Sequence, residues 1–180
     1  MNLRVELDDF CPQLLKDQNL VVGRLDGRIT GPPTSGSLDD GTSDPSDAAF
    51  MLAYGDAIND YINRELGFVT DSPYIPSNLE INHIWALPVD VTTGGYLSQE
   101  TTIYELMSKN PFLKIWVLCG YYDGATAFYA AEWVYNHVFL NDEYKDNLSF
   151  TYYPSGHMIY MVKDAFDQLR KDAQAWYEQE

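Results

Sequence analysis

The chain has 180 residues, enough for a domain with a real core, and its 46 % hydrophobic and 21 % charged residues form an ordinary globular balance. Its net charge of −16, from 27 acids against 11 bases, argues against nucleic acid or an anionic membrane as partner, because either needs a basic footprint. Two cysteines, Cys11 and Cys119, give no disulfide framework, and no apolar run approaches the roughly 18 residues of a membrane span.

At the start, LRVEL reads as an extended segment and a helix is predicted near Pro12 to Gln18. In VVGRLDGRITG, Gly23, Gly27 and Gly31 mark turns. Arg24, Asp26 and Arg28 alternate there, and a solvated loop is the preferred reading over an ion-pair cluster. The stretch TGPPTSGSLDDGTS, residues 30–43, has the composition of a long loop. Its acids Asp39 and Asp40, with Asp44 just beyond, lack the ligand order of a calcium loop, so no metal is implied.

A helix is predicted from Asp44, a good N-cap, with Pro45 at the first position and Asp47 in the first turn near the positive end of the dipole. Phe50, Tyr54, Ile58, Tyr61, Ile62 and Leu66 recur at helical spacing, and Gly67 ends the element. Residues 68–97 carry Pro73, Pro76, Pro88 and Gly94–Gly95 and read as irregular. His83, beside Trp85, is a candidate substrate contact; with no cysteine or second histidine nearby it is not expected to bind metal. Ser98 is placed to cap a helix running to Lys109, with Ile103, Leu106 and Met107 inward, and Asn110–Pro111 stops it.

The most informative stretch spans residues 113–160. Residues 113–119 are apolar but for one lysine and are ended by Gly120, which predicts a strand buried on both faces, with Cys119 as a buried thiol. Asp123 follows directly. A helix comes next, with Phe128, Ala131, Val134 and Val138 on one face, and then residues 148–153 have strand composition. Pro154, Ser155 and Gly156 break that strand just before His157. A strand–helix–strand crossover implies two parallel strands, whose C-terminal ends share one edge. Asp123 and His157 are therefore expected side by side, as two of the three members of a nucleophilic triad. The alternative is structural: an Asp in G-Y-Y-D-G is also a good turn former. In the last predicted helix, Val162, Phe166, Leu169, Ala173 and Trp176 make an apolar stripe for packing on the sheet.

GYYDGATAFYAAEW followed by FTYYPSGHMIY resembles the C-terminal part of the serine carboxypeptidase family of α/β-hydrolases. The similarity extends upstream through VGRLDGRITG, DPSDAAF and NDYINRELGF, so it covers nearly the whole chain. It implies that Asp123 is the acid, in the family's G-x-x-D segment, and His157 the base, in its G-H-M segment. The family often has Pro where Ala127 stands, a difference that concerns the start of the helix more than the chemistry.

A second departure is larger. No serine here has the glycines of G-x-S-x-G around it, and in this superfamily the nucleophile precedes the acid in the chain. The expectation is thus an α/β fold representing the C-terminal section of a longer hydrolase. Residues 1–97 would be a mostly helical lid or cap insertion, and residues 98–180 the last part of the hydrolase core with a small parallel sheet. The implied substrate is a peptide, no cofactor is implied, and the exposed sheet edge predicts self-association. An esterase-type hydrolase fragment, a non-catalytic binding or regulatory module of the same architecture, and a half-enzyme complemented by another chain are the alternatives.

Overall fold

A computed structural model of the chain describes residues 7–33, 44–72, 74–76, 78–84, 99–138 and 142–178. The fold mixes helices with two small sheets, one antiparallel and one parallel. Contacts divide it into two compact units, Met1–Ala86 and Leu87–Glu180.

In the first unit, helix α1 spans Leu7–Leu14 and a 3-10 turn follows at Lys16–Gln18. The predicted start at Pro12 is therefore late, since Pro12 lies inside α1; the expected segment LRVEL falls mostly outside the described residues. Strands β1, Val21–Val22, and β2, Thr30–Gly31, pair antiparallel, with Val22 opposite Thr30. Between them Asp26 is buried, and its carboxylate accepts from the Arg28 backbone N–H at 3.0 Å, Nε at 2.9 Å and Nη2 at 2.6 Å. This corrects the expectation of a solvated loop: the acid sits inside the turn and is neutralised by Arg28.

Helix α2, Pro45–Asp60, begins where the sequence predicts, and continues as a π-helical turn over Tyr61–Glu65. Asp44 caps it by accepting from the Ser46 N–H at 2.9 Å, and also accepts from the Arg24 N–H at 3.1 Å. The Ser46 hydroxyl accepts in turn from the Leu25 N–H at 3.0 Å, so the cap ties the β1–β2 turn to α2. Gly67 follows at φ 65°, the left-handed conformation that lets the chain leave the helix. The aromatic stripe of this helix is not a buried face, since Tyr54, Tyr61 and Leu66 are all exposed. Within the stretch expected to be irregular, a short helix α3 occupies Leu79–Ile84. Trp85 and Gly94–Gly95 lie outside the described residues, as do Asp39 and Asp40.

The second unit holds α4, Glu100–Lys109; β3, Ile115–Gly120; α5, Phe128–His137; α6, Asp142–Lys145; β4, Leu148–Tyr153; and α7, Lys163–Tyr177. Strands β3 and β4 pair in parallel from Ile115 opposite Leu148 to Gly120 opposite Tyr153, as the crossover requires. Two small cores flank the sheet. Met107 and Val138 are buried with Ile103, Leu113, Ile115 and Tyr144, joining α4 to the end of α5. Tyr153, Ile159 and Ala165 are buried with Val162 and Leu169, seating α7.

Two expectations need correction here. Strand β3 is fully buried only at Cys119 and Gly120, because within the described residues one strand and a few helices are too little to cover both faces. In α7 the buried residue is Ala165, whereas Phe166 is exposed. The rest of the stripe keeps its expected face, for Val162, Leu169, Ala173 and Trp176 are each partly buried. Among the described residues no helix is long and apolar enough to cross a membrane.

Candidate functional site

The hydrogen-bond ladder between the parallel strands does not stop at their formal ends. The Tyr121 N–H donates to the Tyr153 carbonyl at 3.0 Å, and the Tyr122 N–H to the Ser155 carbonyl at 3.0 Å. The two turns that follow β3 and β4 are thereby held side by side. Gly120 makes this possible: a Cβ there would lie 2.7 Å from the Ser155 carbonyl oxygen and closer still to that of Gly156. Both obstacles are backbone atoms, so neither can step aside. The glycine that ends the strand, as read from sequence, is also the contact point of the two turns.

Beyond Gly120 the chain turns back, with the Asp123 N–H donating to the Gly120 carbonyl at 3.3 Å. The Asp123 side chain then organises the next three residues. Its Oδ1 accepts from the Ala125 and Thr126 N–H groups at 2.8 Å each. Its Oδ2 accepts from the Thr126 hydroxyl at 2.6 Å and from His157 Nδ1 at 2.9 Å. Every partner of this carboxylate is a donor, so the bond to His157 requires a proton on Nδ1 and leaves Nε2 as the basic nitrogen of the neutral ring.

The two side chains differ in access. Asp123 has 6 % of its side chain exposed, and His157 41 %. A sheltered acid behind a histidine open to solvent is the arrangement that lets an imidazole exchange a proton with an incoming group while its orientation stays fixed. Sequence reasoning placed Asp123 and His157 together; it did not find Thr126. The signal for Thr126 was weak, a hydroxyl residue three positions after a turn Asp, a spacing at which a side chain can reach back to the carboxylate.

The neighbouring groups with nucleophilic potential are not presented for reaction. Ser155, two residues before His157, is fully buried, and its hydroxyl has no hydrogen-bond partner among the described residues. Cys119 is buried one residue before Gly120; burial pushes its thiol up, and the charges of Glu132 and Asp123 push it the same way, so it is kept as the unreactive thiol. His83 lies on α3 in the first unit, and its side chain is outside the described residues.

An aromatic ladder runs along β4 and into the turn after β3. Tyr152 stacks on Tyr121 at 5.6 Å and on Phe150 at 6.4 Å, and Phe128 meets Tyr121 and Tyr152 edge-on. The Tyr152 hydroxyl donates to Glu132 of α5 at 2.6 Å. These contacts brace the strand that delivers His157 against the helix that follows Asp123. No protein-family model, curated protein or solved structure matches the chain.

Proposed function

We propose that Asp123 and His157 are the acid and base of a Ser–Asp–His triad, in the C-terminal section of a serine carboxypeptidase-like α/β-hydrolase that removes C-terminal residues from peptides. The observation that carries this reading is the 2.9 Å bond from His157 Nδ1 to a nearly buried carboxylate, delivered from the adjacent ends of two parallel strands. The motifs GYYDG and SGHM, which hold the two residues, supply the substrate class by their resemblance to that family.

In this mechanism His157 Nε2 takes the proton from the serine hydroxyl as the oxygen attacks the scissile carbonyl, then gives it to the leaving amine. Asp123 keeps the ring in the Nδ1–H tautomer and stabilises the imidazolium formed between those steps. Water attacks the acyl-enzyme by the same relay. The nucleophile is not among these 180 residues, for none has the required turn sequence around a serine. Residues 1–97 then belong to the lid or cap insertion, and residues 98–180 to the last strands and helices of the hydrolase core. Copies of the isolated chain associate through the strand edge of residues 113–119.

The test begins with the genomic DNA immediately upstream of Met1. An in-frame extension encoding G-x-S-x-G is expected, and a stop codon directly upstream overturns the proposal. In the extended enzyme, Asp123→Asn should lower kcat for release of the C-terminal residue from an N-blocked dipeptide about 10⁴-fold. Hydrolysis of simple esters with no release from the dipeptide would move the assignment to an esterase. The 180-residue chain alone should resist a serine-directed phosphonate, and stoichiometric labelling would show that its nucleophile is present after all.

A further inference from the structure

We infer that Thr126 is a positioning residue for this pair, locking His157 in the tautomer and orientation that general-base action needs; the inference rests on the proposed role of Asp123 and His157. Its hydroxyl makes two contacts at once. It donates to Asp123 Oδ2 at 2.6 Å and lies 3.1 Å from His157 Nδ1, while His157 Nδ1 lies 2.9 Å from that same Oδ2. Three polar atoms thus close a small ring.

Proton counting fixes how the ring is wired. A hydroxyl has one proton and two lone pairs, and a carboxylate has lone pairs only. The Thr126 proton goes to Oδ2, so the Thr126 oxygen meets Nδ1 with a lone pair. The Nδ1 proton is then shared between Oδ2 and Thr126 Oγ1 as a three-centre bond. Rotation of the imidazole away from Asp123 breaks both halves together, and a ring flip that placed a carbon there would leave Thr126 Oγ1 without a donor and Oδ2 with the Thr126 hydroxyl alone.

The backbone of Thr126 completes the arrangement. Its N–H donates to Asp123 Oδ1 at 2.8 Å, so one residue holds both oxygens of the carboxylate and sets the plane His157 must match. The carboxylate has no other side-chain partner than Thr126 and His157 among the contacts of the described residues. Fixing a group that acts through another in this way confers precision more than strength.

The 180-residue chain suffices for the test, because the readout is the histidine and not turnover. In ¹⁵N-labelled protein the His157 ring should show the Nδ1–H tautomer and a slowly exchanging Nδ1 proton. Thr126→Val, which keeps the shape and removes the hydroxyl, should speed exchange of that proton about tenfold or more and let the other tautomer appear, as expected for loss of a hydrogen bond to a charged group. Thr126→Ser should restore the wild-type behaviour. Thr126→Ala serves the same purpose if the valine disturbs the fold, as judged by circular dichroism. Wild-type tautomer and exchange in the folded Val or Ala variant would overturn the role of Thr126 while leaving the pair intact. Wild-type signals in Asp123→Asn would instead show that Asp123 does not hold His157, and the inference would fall with the pair.

Discussion

At the scale of single residues, the site depends on a side chain that is missing. Gly120 lets the carbonyls of Ser155 and Gly156 approach the end of β3, and a methyl group at that position would overlap both. Gly120→Ala should therefore destabilise the protein by about 1–3 kcal/mol, the usual range for forced overpacking, or more because the obstacles are backbone. A fall in the urea midpoint at unchanged slope measures this. The same variant should loosen the Asp123–His157 bond, since the two turns cannot stay in register once the glycine contact opens; an unchanged midpoint would show that the turns move apart freely. Legibility was uneven at this scale. Asp123 and His157 stood out because strand punctuation locates the C-terminal end of each strand. Thr126 did not, because its role exists only when a second, distant turn brings an imidazole to it.

Among the elements, the strand–helix–strand order and its parallel pairing were readable from apolar runs and breakers, and so was the buried face of α7 except at Phe166. An apolar pattern says which residues can be buried and leaves open which of two adjacent positions meets the partner. Here Tyr153 is buried in one cluster with Ala165, while Phe166 is exposed. The Tyr153 ring is 1 % exposed between β4 and α7, and its hydroxyl donates to Asp172 of α7 at 2.8 Å. Burial first, and the Asp172 carboxylate second, raise the Tyr153 hydroxyl above its ordinary value of 10.0. The folded state thus holds this proton more tightly than the unfolded chain does. Its contribution to stability is complete below pH 10.0 and is lost as the pH climbs from there towards the raised folded value. Within that window one such group steepens the loss by about 1.4 kcal/mol per pH unit. Tyr153→Phe should remove that share of the slope between about pH 10 and 11.5, while Tyr152, raised by burial and Glu132, and Tyr135, raised by burial, keep theirs. Urea midpoints of the two proteins measured across this range, falling in parallel, would rule out Tyr153 as a source of alkaline lability. The Trp116–Trp176 stack, at 5.7 Å, ties α7 to β3 as well and does not titrate, so the helix should stay docked at neutral pH in the variant.

For the whole molecule, the proposed self-association sets two opposing terms against each other. Among the described residues β3 and β4 each have a single strand neighbour, and parallel strands are normally covered on both faces and both edges. Phe112, just before β3, is 89 % exposed, and Leu118 within it is 39 % exposed. These features favour pairing between copies. A net charge of −16 opposes it, because two like-charged molecules must approach closely to pair their edges. Salt separates the terms: the screening length falls from about 10 Å at 0.1 M to about 3 Å at 1 M, which removes most of the repulsion and leaves apolar burial slightly strengthened. Light scattering should therefore give a mass above 20.5 kDa that increases with protein concentration and increases again when sodium chloride is raised across that range. Leu118→Lys, which places a charge on the exposed part of β3, should lower the mass at every salt concentration. If charge pairing rather than strand edges held the copies together, salt would dissociate them, and the sign of the salt effect alone decides between the two. A compact species of 20.5 kDa at high protein and high salt would show that the edge is covered from within the chain.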